Sequence, residues 1–445
     1  MKYITIVIML ISVAFLAADP IYYPTTPVIE NFGASWCGGC ALAEQGLAVM
    51  QSQLYPGELI ISRLLTESGE YSNVQVDSRF DYYEVMGLPA VIFNGKVRIN
   101  GASDETIYGA DYIDAIGNFR YLGSPLKMSM QSFDASSGTF SVLTEMVHDT
   151  YALEDAKVVF YLVEEDITTE LTQIVRSVHT EPISLSGAGN QVLSQASFSL
   201  DPAWNTAQLW ALAFVQLSSK TILQGVSTLP LPQHYVRAAV SFDHDLQSEV
   251  SGLYLSPTFW IYNMGSAQYV TTHIEAISVP DSWSLNYCDE ADNCYPGSID
   301  IDFSYTAGEA KSFHLNIWAE GNGTATLNFV VESPEIGSYK IPFTYTLGPV
   351  SNSDPLAAPV QITLGHSYPN PFRSEVSFEL TSPKSGLDSA LEIYNIKGQK
   401  LLELPLTNLQ KGANSISWNA ESLPSGLYLY RLKGTQQSGK VLKVR

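Results

Sequence analysis

Hydrophobic and polar positions repeat with different periods along this chain, and the changes of period mark its modules. Tyr3–Leu16 is almost wholly apolar, follows Met1-Lys2 and ends in Ala17-Ala18. A basic start, an apolar run of that length and small residues after it read as a secretory leader, residues 1–18, with cleavage expected after Ala18. Pro27–Phe32 (PVIENF) predicts a buried strand. Ala41–Leu54 places Leu42, Leu47, Val49, Met50 and Leu54 at roughly helical spacing, with Gly46 as a weak point. Val91–Phe93 and Val97–Ile99 flank Asn94-Gly95, a strong hairpin signal. Ala110–Leu122 predicts a closing helix.

From Pro125 to Leu229 the period drops to two. Lys127–Ser132, Thr139–Val147, Lys157–Glu164, Thr172–Val178, Val192–Leu200 and Gln208–Gln216 alternate between turn residues, the pattern of a β-sandwich. Pro230-Leu-Pro232 reads as a hinge. A second β-domain follows in Thr258–Asn263, Gln268–Ser278, Ser298–Ser304, Lys311–Ala319, Gly323–Val331 and Tyr339–Thr346. Leu347–Pro359 is rich in Pro, Ser and Ala and reads as a linker. Beyond it Val376–Leu380, Leu391–Ile396, Ser415–Trp418, Leu427–Leu432 and Lys440–Val444 are short strands punctuated by Gly398, Gly412 and Gly426. They predict a small C-terminal Ig-like β-sandwich.

Composition adds a boundary in charge. The 445 residues carry 45 acidic and 23 basic side chains, a formal charge of −22. Residues 19–355 hold 39 acidic and 12 basic groups (−27), whereas residues 356–445 hold 6 and 10 (+4). A chain this acidic repels phosphate backbones, which excludes nucleic acid as a partner. Apart from the leader, no run is long enough to span a bilayer as a helix, so the mature chain is expected to have no transmembrane helix.

Four cysteines fall into two pairs, Cys37/Cys40 and Cys288/Cys294. The first lies in Trp36-Cys-Gly-Gly-Cys40, where a strand is expected to turn into a helix. Free backbone N–H groups and the positive end of the helix dipole stabilise a thiolate there. The two intervening residues let the second thiol close on the first. Cys288 and Cys294 enclose Asp289-Glu-Ala-Asp-Asn293 and are expected to form a structural disulfide across that loop. The loop lacks the spaced acidic and glycine pattern of an EF-hand and reads as solvated rather than calcium-binding. Asp243-His244-Asp245 reads as a polar turn, Asp77, Arg79 and Asp81 as a solvated helix face, and Arg176 as one half of a structural salt bridge. No zinc site is expected, since no histidine has ligand spacing to the CxxC pair. No cofactor or metal is implied, and HExxH, GxSxG and phosphate-loop motifs are absent.

Two stretches carry resemblances. Tyr368-Pro-Asn-Pro-Phe372, Ile393–Gln399, Leu423-Pro-Ser-Gly-Leu-Tyr428 and Gly439–Arg445 resemble the type A C-terminal sorting domain of the type IX secretion system of Gram-negative Bacteroidota. That resemblance implies passage through the periplasm, export across the outer membrane, secretion or attachment at the cell surface, and the type IX machinery as a partner. Trp36–Cys40, Met86-Gly-Leu-Pro-Ala-Val-Ile-Phe93 and the hairpin after it resemble the thioredoxin fold over residues 24–122. By that resemblance Cys37 is the nucleophile and Cys40 the resolving thiol. Pro89 is a cis-proline beside them, while Trp36 and Leu88 line the substrate groove. Extracytoplasmic protein thiols or disulfides are the implied partners. Gly39 stands where thioredoxins usually carry proline. Asn31 stands where they carry a buried aspartate, which leaves the neighbouring Glu30 to rotate inward as a base or water to substitute. Together with Ile174-Val-Arg-Ser177, Leu209–Gln216 and Ile222–Gly225, this module resembles the Omp28-related outer-membrane and surface proteins over residues 24–229.

The expectation is therefore a multidomain chain with an α/β thioredoxin-like domain at residues 19–123 and β-sandwich domains at 124–230 and 231–347. A linker at 348–359 leads to the sorting domain at 360–445. The rival reading is a non-catalytic surface protein whose CxxC disulfide only staples the fold. A third class, a glycan-binding module, rests on exposure of strand aromatics such as Trp260 and Trp318.

Overall fold

The computed structural model describes residues 22–54, 57–66, 73–165, 173–348, 363–382, 387–395, 400–410, 412–433 and 438–444. The leader at 1–18 and the linker at 348–359, apart from Gly348, lie outside the described residues. Internal contacts divide the chain into two units, residues 1–350 and 351–445.

The first unit is organised by one eight-stranded sheet. Its strands are β1 (Val28–Gly33), β2 (Ile60–Leu65), β3 (Ala90–Phe93), β4 (Val97–Asn100), β5 (Ala152–Glu164), β6 (Ile174–Ser186), β7 (Leu209–Leu217) and β8 (Ile222–Ser227). They lie in the order β8-β7-β5-β6-β2-β1-β3-β4. β1 and β2 are parallel, β3 is antiparallel to β1, and β3–β4 is the hairpin expected at Asn94-Gly95. Asn94 and Gly95 take positive φ, 48° and 70°, within the three-residue connection between Phe93 and its partner Val97.

The boundary expected at residue 123/124 does not divide this sheet. The parallel pairing of Ile174 with Arg63 and the 2.8 Å hydrogen bond from Arg63 N to Gln173 O join β6 to β2. The strands expected to form a separate sandwich therefore extend the first module's sheet. Periodicity cannot reveal this, because it reports which face of a strand is apolar and not which edge finds a partner.

The central strands are covered on both faces, which is why β1 and β2 read as continuous apolar runs. Helix α1 (Gly38–Gln53) and helix α3 (Ala110–Ile116) pack on one face through Ala43, Leu47, Met50, Tyr112 and Ile116 against Ile29, Ile61, Val91 and Phe93. Helix α2 (Val74–Tyr83) covers the other face. Its Val76 and Tyr83 meet Val28, Phe32 and Leu64, and the same cluster continues into Val159, Tyr161, Leu212 and Phe214 of β5 and β7. The alternate residues Val158, Phe160 and Leu162 face a three-stranded sheet of Leu126–Asp134, Thr139–Met146 and Gln191–Ser197. The closing helix is shorter than Ala110–Leu122; it ends at Ile116 and a 3-10 turn, Gly117–Tyr121, completes the connection.

Gly46 is explained by packing. A Cβ on it would lie 2.2 Å from the carbonyl oxygen of Thr106 and 3.1 Å from the Tyr112 ring, so the loop after β4 presses on the helix at this one residue. Gly46→Ala is expected to lower stability by roughly 1–3 kcal/mol through overpacking, despite the better helix propensity of alanine. Chemical denaturation of the full chain checks it.

The second β-domain encloses one core between two sheets. One holds Val236–Ala239, Phe259–Asn263, Ala310–Ala319, Ser284–Asp289 and Cys294–Pro296, with Gly252–Leu255 paired beside them. The other holds Asp245–Ser248, Gly337–Leu347, Gly323–Ser333, Gln268–Ser278 and Ile301–Tyr305. In Asp243-His244-Asp245 both aspartates are exposed, as a polar turn requires, but the histidine between them is not. His244 is buried, its ring stacks on Phe343 at 5.0 Å, and its Nδ1 lies 2.6 Å from the Pro342 carbonyl oxygen.

The second unit is a small sandwich. Thr363–Tyr368, Glu375–Ser382 and Gly412–Asn419 form one sheet; Lys400–Leu409, Leu387–Asn395, Gly426–Leu432 and Ser438–Lys443 form the other. Phe372, Val376, Phe378, Leu391, Ile393, Trp418, Tyr428, Tyr430 and Val441 fill its core.

Candidate functional site

β1 delivers the chain to Trp36–Cys40, and α1 begins at Gly38, earlier than the expected Ala41. Cys37 is the N-cap residue and Cys40 lies in the first turn. The two are joined as a disulfide with a Cα–Cα separation of 5.3 Å. Cys37 N–H donates to Ala34 O at 3.1 Å, and no side chain caps the helix, so no side-chain oxygen takes up its first N–H groups. No acidic residue occupies the first turn, so nothing there opposes the positive end of the dipole.

Access to the two sulfurs is unequal. Cys37 is half-buried, whereas Cys40 is 3% exposed and lies against Gly33, where an added Cβ would come 3.4 Å from its Sγ. Trp36 is 73% exposed. Leu88–Pro89 is a cis peptide, with Leu88 half-buried and Pro89 buried. A Cβ on Gly39 would lie 3.3 Å from the Pro89 ring, which places the proline directly against the Cys-Gly-Gly-Cys turn. The segment Leu88–Pro89 and the turn 36–40, fifty residues apart in sequence, therefore form one surface.

Beneath the disulfide the strand faces separate Asn31 from Glu30. Asn31 faces the α1 side, and its Oδ1 is buried with no partner among the described residues. It lines a cavity of about 80 Å³ with Glu44, Leu47, Ile61, Arg63 and Gln173. Arg63 Nη1 is likewise buried and unpaired, and Arg63 forms an ion pair with Glu44 of α1. Loss of water pushes the Arg63 guanidinium down to about 10, with the charge of Glu165 acting in the opposite sense. Two orphan polar atoms around a void of this size define a site for one or two internal waters.

Glu30 does not rotate toward the cysteines. It points to the α2 face, fully buried, and accepts hydrogen bonds from Arg79 Nε at 3.1 Å, Arg79 Nη2 at 2.7 Å, Tyr83 Oη at 2.6 Å and Tyr161 Oη. Arg79 is therefore no solvated residue: it is 4% exposed and also donates to Gln216 Oε1 at 3.0 Å. Of its helix neighbours, Asp77 is half-buried and Asp81 exposed. Burial lowers the guanidinium pKa, but Glu30, Tyr161 and Tyr83 more than reverse this and hold it above its ordinary value. Burial, with the Glu30 charge adding to it, pushes the Tyr83 hydroxyl well up. The sequence hid this network, since a lone arginine on a short polar helix has no signature of its partners on β1 and β7.

The remaining residues singled out by sequence are structural in their surroundings. Arg176 Nε donates to Glu164 at 2.5 Å. Cys288 and Cys294 are joined as a disulfide with a Cα–Cα separation of 4.0 Å. The Asp289 carboxylate accepts from the backbone N–H of Ala291 and Asn293 and from Tyr295 Oη, which occupies it within its own turn. Trp260 is 8% exposed and packs near Tyr22, while Trp318 is half-exposed. Among the described residues no group of three His, Cys, Asp or Glu side chains is arranged to hold a metal ion. Among them, too, no helix is long and apolar enough to cross a membrane.

Residues 366–444 match the family described as the secretion system C-terminal sorting domain. The protein is accordingly a secreted, cell-surface protein of the Bacteroidetes type IX route, and its terminal unit interacts with that secretion machinery. No curated protein matches the chain. Among solved structures it is similar to dimeric latent PorU from Porphyromonas gingivalis (14% identity, 72% of this chain and 33% of that one, TM-score 0.18). It is also similar to the N-terminal domain of PorA (16%, 24% and 87%, TM-score 0.18) and to the secreted serine protease VesC from Vibrio cholerae (11%, 67% and 85%, TM-score 0.22). The chain spans one third of the length of PorU. Scores of this size define no common overall fold.

Proposed function

We propose that this exported protein is a thiol–disulfide oxidoreductase of thioredoxin-like type acting on extracytoplasmic proteins. One observation carries the reading: the half-buried Cys37 caps α1, bonded to a buried Cys40, with cis-Pro89 packed against the same turn. In the reducing direction the Cys37 thiolate attacks one sulfur of a substrate disulfide, and the other leaves as a thiolate that takes a proton from water. Cys40 then loses its proton and attacks the Cys37 sulfur. The Cys37–Cys40 bond reforms and the substrate departs as a dithiol, two electrons having passed to it. Unequal burial fits this division of roles, because an incoming disulfide reaches Cys37 and not Cys40.

The domain reading follows from it. Residues 19–123 supply the redox module, 124–230 complete its sheet, and 231–347 form a supporting sandwich. On this reading residues 24–229 would be related to the Omp28-related surface proteins. The test is alkylation of the mildly reduced full chain at neutral pH. Cys37 is expected to react fast and Cys40 slowly, and Cys37→Ser to abolish turnover of a protein disulfide. Equal inertness of both thiols would leave only the stapled scaffold of the rival reading.

Resolution lacks a buried acid. Asn31 is neutral and Glu30 is committed to the opposite face, so Asn31→Asp is expected to speed resolution of a mixed disulfide by about tenfold or more by supplying a base. Stopped-flow release of a chromogenic thiol as a function of pH measures it.

A further inference from the structure

The surface around the disulfide has a composition of its own. Trp36 is 73% exposed beside Cys37, and Met86, three residues before Pro89, is 95% exposed. Gly38 and Gly87 are exposed, and a Cβ on either would meet nothing within 4 Å. The loop Gly101–Gly109 borders the same surface. Its first residue donates N–H to Pro89 O at 2.7 Å, and its Thr106 carbonyl lies on Gly46 in the middle of α1. Between those anchors Asp104 and Glu105 are exposed. The three segments 34–46, 84–90 and 101–109 contain exposed Glu84, Asp104 and Glu105, besides Glu44, which is paired with Arg63, and not one Lys, Arg or His. The cation next along the chain, Arg98, is turned to the carbonyl oxygens of Tyr83 and Glu84.

We infer that the site selects polypeptide cystines flanked by apolar and cationic side chains and discriminates against anionic low-molecular-weight disulfides such as oxidised glutathione. This rests on the thiol-exchange reading and adds its substrate class. An apolar shelf of Trp36, Leu88 and Met86 suits an extended chain, and a rim of carboxylates draws positive charge and repels the carboxylates of glutathione. The overall charge of −22 acts in the same direction at longer range.

The experiment uses the reduced full chain and three disulfides: a dimer of a short peptide with Phe, Leu and Lys around its cysteine, the same peptide with Glu for Lys, and oxidised glutathione. Rates are followed by stopped flow at low and high salt. The basic peptide is expected to react at least tenfold faster than the other two at low salt, and the advantage to shrink at 1 M salt. Asp104→Asn with Glu105→Gln is expected to narrow the basic-to-acidic ratio several-fold, and Met86→Gln to slow both peptides more than it slows glutathione. Equal rates for all three disulfides, or a salt-insensitive ratio that the double substitution does not move, would overturn the inference while leaving exchange intact. No reaction with any of them would remove the exchange reading, and the inference with it.

Discussion

Arg79→Met is expected to destabilise the first unit by roughly 3–5 kcal/mol, the cost of leaving a buried charge without its partner. Glu30 is fully buried and Arg79 nearly so, and the substitution removes two of the donors to the carboxylate together with the bond to Gln216. Tyr83 and Tyr161 would remain as its hydrogen-bond donors, and neither carries a compensating charge. Glu30→Gln combined with Arg79→Met is expected to recover part of the loss, because no ion then remains in the interior. Urea denaturation followed by tryptophan fluorescence measures both. A shift of under 1 kcal/mol for the single substitution would mean that Glu30 takes up a proton or reaches water when Arg79 is gone.

Arg237→Met is expected to cost on the order of 3 kcal/mol and to loosen the second β-domain from the first module. Arg237 is 2% exposed and, among the described residues, has no carboxylate partner. Its guanidinium donates instead to the backbone oxygens of Gly57 (2.8 Å), Thr25 (2.7 Å), Glu58 (3.1 Å) and Arg120 (3.3 Å). One side chain thus gathers three separate segments of the first module around the strand Val236–Ala239. Tyr22 and Tyr23 reinforce the seam against Trp260 and Tyr262. Hydrogen exchange is expected to rise at residues 23–25 and 57–60, and protease cleavage to appear near Pro230-Leu-Pro232. Lysine at 237 is expected to rescue little, since a point charge cannot reach carbonyls on both arms of the fork.

Local signals in the sequence were read well where they depend on neighbours in the chain. Asn94-Gly95 announced its hairpin, and period-two stretches announced strands such as Gln268–Ser278, observed with those bounds. The tail was legible because its motifs recur in order, and residues 366–444 match the sorting family. What stayed hidden depends on partners distant in sequence. Nothing in Ile174–Ser186 tells that its first residue pairs with Arg63, and a charged residue on α2 looks solvated until β5 and β7 are laid against it. His244 looked polar for the same reason. The Cys37–Cys40 turn could be placed at a strand-to-helix junction from spacing, but the unpaired Asn31 oxygen and its cavity required coordinates.

The joining of Ile174 to Arg63 also bears on how the molecule is made. A chain that emerges N-terminus first holds Arg63 of the strand Ile60–Leu65 without its sheet partner until residue 174 arrives. Such an unsealed strand invites association with other nascent chains. Excising residues 19–123 alone would make that temporary exposure permanent.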